Sequence, residues 1–146
     1  MHFKINTILL ADDDPDDRDF FKDALKSVST ELVLKTAENG IQALEILENS
    51  ENLPDLIFLD LNMPLKNGHE CLLDIKDNPK TKGIPVIIFS TSLQRETANV
   101  MYESGASRYV VKPNSFAELK IVLRELTQLD WKSPFIESKE NFVYQY

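Results

Sequence analysis

Acidic residues follow directly on two apolar runs of this sequence. Ile8-Leu9-Leu10-Ala11 leads into Asp12-Asp13-Asp14, and Leu56-Ile57-Phe58-Leu59 leads into Asp60. Two further runs, Val86-Ile87-Ile88-Phe89 and Tyr109-Val110-Val111, end in Ser90-Thr91-Ser92 and in Lys112-Pro113. In an open α/β sheet, sites form just beyond the carboxyl ends of the strands, near the point where strand order reverses. If the four runs are strands of one such sheet, carboxylates, a hydroxyl and an ammonium converge on a single edge. Crowded carboxylates raise one another's pKa unless a cation neutralises them. A carboxylate set with open water positions suits a hard, octahedral ion that keeps several waters, which favours Mg²⁺. Such an ion can draw in a phosphoryl oxygen and offset charge as it develops. A carboxylate is a weak nucleophile, yet a competent one toward a positioned phosphoryl group. The lysine would bring a point charge to the phosphoryl oxygens and the serine a hydrogen bond.

The elements that must hold these residues are legible in the pattern. Each run is continuous rather than alternating, as expected of parallel strands covered on both faces. Leu32-Val33-Leu34-Lys35-Thr36 is a fifth, more mixed candidate and reads as nearer an edge. Helical stripes separate the runs: Phe20, Phe21, Ala24, Leu25 and Val28 after the first, and Phe116, Leu119, Val122, Leu123, Leu126 and Leu129 after the last. Asp14-Pro15 has the form of an N-cap followed by proline at the first helical position. Ser115 and Glu118 have capping-box spacing. Helices around 40–49, 67–77 and 93–104 complete a (βα)₅ α/β architecture with right-handed crossovers. The boundary falls near Leu129, giving a domain over 1–129 and a polar tail over 130–146. That tail carries Trp131, Phe135, Phe142, Tyr144 and Tyr146 around Pro134.

In order and spacing these residues resemble the receiver domain, or CheY-like response regulator, family. The match consists of the acidic pair Asp12 and Asp13, the segment Leu59-Asp60-Leu61-Asn62-Met63-Pro64, Ser90 following Pro85, and Gly105-Ala106-Ser107-Arg108-Tyr109-Val110-Val111-Lys112-Pro113. It extends over about residues 6 to 129. The resemblance implies the flavodoxin-like strand order 2-1-3-4-5. It implies that Asp60 accepts a phosphoryl group from a histidine kinase or phosphotransfer protein. Asp12, Asp13, Asp60 and the backbone carbonyl of Asn62 would hold Mg²⁺, Asp12 directly or through water. Lys112 would pair with the phosphoryl group, and its bond to Pro113 is expected to be cis. Ser90 and Tyr109 would be the switch pair, the hydroxyl moving to the phosphoryl group and the ring turning inward behind it. The stretch Leu61 to Gly68, with the long Asp77 to Pro85 connection, is similar to that of single-domain regulators associated with phytochromes. Output is expected through protein contacts on the face formed by the fourth helix, fifth strand and fifth helix.

Simpler roles stand beside these. Asp14 reads as a cap, and Asp16 and Asp17 as residues placed for the helix dipole. One of Ser90, Thr91 and Ser92 is expected to start the next helix. Tyr109 as plain core is an open alternative. Lys112 left buried without an anion would be costly, which argues against a surface role. Cys71 reads as a small buried hydrophobe, and His2 and His69 as surface residues without metal-site spacing. Gly40, Gly68 and Gly105 read as turn or helix-end glycines, and none belongs to a phosphate-cradling loop. The tail aromatics either cover the domain's own surface or mediate self-association, with a homodimer as one outcome.

Composition narrows the class further. The 146 residues, 42% hydrophobic, suit one globular domain. A net charge of −8 disfavours nucleic acid and anionic membrane as partners. The single cysteine fits a reducing cytoplasm, and no apolar run suits a signal peptide or a membrane span. The expectation is a phosphoacceptor signalling protein rather than a multiple-turnover enzyme. Two other readings remain: a pseudo-receiver scaffold, and a Mg²⁺-dependent phosphohydrolase. The scaffold is disfavoured because no acidic residue or lysine of the pattern is missing. The hydrolase is disfavoured because position 62 is Asn where such enzymes commonly need a second acid.

Overall fold

Five strands alternate with five amphipathic helices in the computed structural model, which describes residues 4–133, 136 and 138–144. The strands are β1 (Thr7–Ala11), β2 (Val33–Ala37), β3 (Leu56–Leu59), β4 (Val86–Ser90) and β5 (Arg108–Val111). The helices are α1 (Pro15–Val28), α2 (Gly40–Asn49), α3 (Gly68–Asp77), α4 (Arg95–Glu103) and α5 (Phe116–Gln128). All pairings are parallel and the order is β2-β1-β3-β4-β5, as expected for a flavodoxin-like sheet. The mixed strand lies at the edge, where only one neighbour must be satisfied.

Continuous apolar runs arise because both faces of the sheet are covered. Ile8 and Leu10 face a cluster with Phe21, Leu119 and Leu123, whereas Leu9 and Ala11 face one with Leu47, Leu72 and Met101. Thus α1 and α5 lie on one face, and α2, α3 and α4 on the other. Phe21, Phe58 and Phe89 interlock edge to face in the first cluster, with ring centroids 5.0–5.7 Å apart.

Helix starts follow the local chemistry. The Asp14 carboxylate accepts from the Asp16 and Asp17 amides, and Pro15 takes the first helical position. Ser115 accepts from the Glu118 amide at the start of α5. Asn67 and Glu70 form a full capping box on α3. Helix α4 differs from expectation, because its N-cap is Gln94 with no side-chain cap bond, so none of Ser90, Thr91 or Ser92 starts it. Past α4, Gly105 takes a φ of +100°, a left-handed conformation that glycine adopts without steric cost.

The C-terminal segment packs on the domain. Trp131 is buried and its indole N–H donates to the Leu126 carbonyl at 2.9 Å. Phe142 is buried against the second cluster of the sheet, and Val143 makes a parallel bridge to Tyr109 at the outer edge of β5. Expectations for His2, Pro134, Phe135 and Tyr146 lie outside the described residues. No helix among the described residues is long and apolar enough to cross a membrane.

Candidate functional site

Strands β1 and β3 are neighbours, yet β1 turns to β2 on one side while β3 leads to β4 on the other. The crevice at that reversal receives whatever residue follows each strand. Ala11 pairs with Leu59, so the next residues, Asp12 and Asp60, stand side by side. Both are anchored through the backbone: the Asp12 amide donates to the Ala37 carbonyl at 3.0 Å, and the Asp60 amide to the Ala11 carbonyl at 2.9 Å. Asp13 is exposed at the rim. Carboxylate oxygens of Asp12, Asp13 and Asp60 lie within 4.8 Å of one another. An all-oxygen, mainly anionic set of this kind fits a hard divalent cation.

Lys112 closes the ring from β5. Its ammonium donates to Asp12 at 2.7 Å, to Asp17 at 2.9 Å and to Asp60 at 3.4 Å. Its amide donates to the Ser90 carbonyl at 2.7 Å, which fixes the end of β5 against the end of β4. Burial works against the Lys112 charge, but the hydrogen bonds to Asp12 and Asp17 and the charge of Asp60 overcome it and raise its pKa. Burial raises the Asp60 carboxyl from 3.8 to about 6; Lys112 pulls it down, and the negative Asp12 pushes it up. One ammonium faces four carboxylates, so the pocket keeps an excess of negative charge that a divalent ion would offset.

The loop after β3 is held by its backbone. The Asn62 amide donates to the Asp60 carboxylate at 3.4 Å and the Gly68 amide to the Leu61 carbonyl at 3.0 Å. Leu65 has a φ of 67°, and the Lys66 amide bonds back to the Pro64 carbonyl, a γ-turn that swings the chain toward α3. At Gly68 a Cβ atom would stand 2.2 Å from the Asp60 carbonyl oxygen. Glycine is therefore required by this close approach, and it lets α3 begin directly under the Asp60 backbone.

Ser90 and Tyr109 are both buried. The Tyr109 hydroxyl donates to the Ser92 carbonyl at 2.6 Å. Burial raises the phenol pKa, with Ser90 lowering it. Cys71 is fully buried, its thiol pushed up to about 12 by burial, and it takes no part in the site. His69 is half-buried, with Nε2 3.1 Å from the Ser104 hydroxyl, rather than a free surface residue.

Two further expectations need correction, and one residue joins the site. No peptide bond among the described residues is cis, so Lys112–Pro113 is trans. The two isomers of an X–Pro bond differ by only about 0.5–1 kcal/mol, a gap that tertiary context decides. Here the ladder bond and the ion pairs of Lys112 form around the trans bond. Asp17 does not serve the helix dipole alone, since its carboxylate holds Lys112. The addition is Arg18, whose guanidinium donates to the Asp12 carbonyl at 2.7 Å and pairs with Glu38 at 3.4 Å. Both lie in the first turns of α1, where acidic and basic residues otherwise have ordinary helix roles.

Known proteins resemble this chain in sequence and in fold. Residues 8–124 match the response regulator receiver domain family. The chain is 35% identical over 118 residues to response regulator Rcp1 of Synechocystis, covering 77% of this chain and 80% of that protein. It is 40% identical over 114 residues, 78% of its length, to a Vibrio cholerae protein named Probable cyclic di-GMP phosphodiesterase, of which it spans only 25%. The crystal structure of the phosphorylated cyanobacterial phytochrome response regulator RcpA superposes with a TM-score of 0.79 at 28% identity, over 88% of this chain and 95% of that one. A Mn²⁺-bound Rcp1 structure gives a TM-score of 0.75 at 29% identity, over 91% and 99%. The chain belongs to the response regulator receiver domain family of two-component signalling.

Proposed function

We propose that this chain is a phosphoacceptor whose Asp60 takes a phosphoryl group from a phosphohistidine of a sensor kinase or phosphotransfer protein. In that step a carboxylate oxygen of Asp60 attacks phosphorus, the phosphorus–nitrogen bond breaks, and the departing imidazole keeps the electron pair and takes up a proton. Asp12, Asp13, Asp60 and the Asn62 carbonyl are the residues to hold Mg²⁺, which when bound offsets charge on the phosphoryl oxygens. Lys112 supplies the fixed positive charge on the other side, and Ser90 the hydrogen bond that the new oxygens accept. The reading is supported above all by one arrangement: the Lys112 ammonium lies within 3.4 Å of both Asp12 and Asp60, with Asp13 completing the acidic set.

Ser90 and Tyr109 are the pair that reports the modification, and the face of α4, β5 and α5 is where protein partners would read it. A mass measurement tests the acceptor. Acetyl phosphate with Mg²⁺ is expected to add one phosphoryl group, and chelation of the metal to prevent it. Equal labelling of Asp60→Asn would refute the assignment.

A further inference from the structure

The C-terminal segment meets β5 at Arg108, whose guanidinium donates to the Ile136 carbonyl at 2.6 Å, and most closely at Tyr109. The Tyr109 amide donates to the Phe142 carbonyl at 2.8 Å, and the Tyr144 amide donates to the Tyr109 carbonyl at 2.9 Å. Between them Val143 forms the parallel bridge to Tyr109. The Phe142 ring, only 4% exposed, packs edge-on against the Tyr109 ring at 6.4 Å and against Tyr102 of α4 at 5.3 Å. Farther along, the Tyr144 hydroxyl bonds to Glu125 of α5. Since β5 is the last strand of the sheet, these contacts occupy its open edge and wall in the Tyr109 ring. Only alternate residues of an edge strand turn their backbone groups outward, and the segment takes those of Tyr109 and sets its buried ring on the same residue.

We infer that Phe142 is a positioning residue for the phosphoryl switch, acting through Tyr109 by holding its ring in the inward place. The inference rests on the reading of Asp60 as acceptor and of Ser90 and Tyr109 as the responding pair. With Phe142 seated, the Tyr109 ring is 1% exposed and its hydroxyl is fixed to the Ser92 carbonyl. Without Phe142 the ring loses a wall and its backbone loses order, so outward positions become accessible. A phosphoryl group at Asp60 that draws Ser90 toward it favours the same inward place. Two influences that favour one position are coupled, and the coupling is reciprocal. Loss of Phe142 must weaken binding of a phosphoryl mimic, and binding of the mimic must tighten the segment.

Beryllofluoride with Mg²⁺, titrated calorimetrically into the full chain, provides the test. Phe142→Ala is expected to bind about fivefold or more weakly, Phe142→Tyr to recover most of the affinity, and Tyr109→Ala to abolish the difference made by Phe142→Ala. In the wild type, exchange of the Tyr144 amide is expected to slow when the mimic binds. Tyr144→Pro removes the bond to the Tyr109 carbonyl without opening the core, and serves if Phe142→Ala does not fold. A Phe142→Ala or Tyr144→Pro protein whose segment exchanges freely yet binds the mimic as tightly as the wild type overturns the inference and leaves the Asp60 reading intact. A wild type that binds no beryllofluoride at all overturns both.

Discussion

The carboxylate of Asp17 stands 2.9 Å from the ammonium of Lys112, closer than the Asp60 carboxylate at 3.4 Å. On the proposed reading, this half-exposed aspartate on α1 competes for the cation that an incoming phosphoryl group would share. Asp17→Asn is expected to free Lys112 and tighten beryllofluoride binding by about 2- to 10-fold, the range of one partly exposed charged contact. Calorimetric titration reads this directly, and unchanged or weaker binding would show that Asp17 positions the lysine instead.

Lys112 is the only cation among the described residues whose ammonium meets both Asp12 and Asp60. Its removal leaves two buried carboxylates without compensation. Lys112→Met in the absence of metal is expected to lose about 3 kcal/mol of stability, as for other buried pairs broken on one side. Urea unfolding near pH 7 measures it. A loss within about 0.5 kcal/mol of zero would mean that water reaches the carboxylates and screens them.

Stability without metal should depend on Asp60 in a defined pH window. Its carboxyl ionises near 3.8 in the unfolded chain and near 6 in the folded one. Between those values the folded protein keeps a proton that the unfolded chain has released, so this group's contribution falls as pH rises from about 4 to about 6. Above that window Asp60→Asn should be more stable than the wild type, by about 1–2 kcal/mol after allowing for solvent at the pocket mouth. Below about pH 4 the two should converge. Urea unfolding in chelator across this range is the check, and a wild type that gains on the variant as pH rises would contradict it.

Gly68 allows α3 to begin against the Asp60 backbone. Gly68→Ala would gain helix propensity at an ordinary position, yet here its methyl group meets a carbonyl oxygen at 2.2 Å. A net loss of about 2 kcal/mol or more is expected in the same unfolding assay. A stabilised variant would mean that the loop after Asp60 yields without cost.

Four of the strands are legible because each is built on a continuous apolar run that stops at a polar residue. Asp12, Asp60, Ser90 and Lys112 therefore fall at strand ends on sequence alone. The order of the strands was not in the pattern and came from the family resemblance. Asp17 escaped because its direction depends on how α1 crosses the sheet, and in sequence it resembles any acidic residue of a first helical turn. The start of α4 escaped because no side chain caps it. The docking of Phe142 on Tyr109 escaped because a single bridge between distant residues leaves no periodicity to read.

Chemical trapping of the modified side chain bears most directly on the central claim. After treatment with acetyl phosphate and Mg²⁺, borohydride reduces an acyl phosphate of aspartate to homoserine, which peptide sequencing then locates. Homoserine at position 60, and nowhere else, is the predicted result. Homoserine at Asp12 or Asp13, a stable phosphoester at Ser90, or an unmodified chain would contradict it.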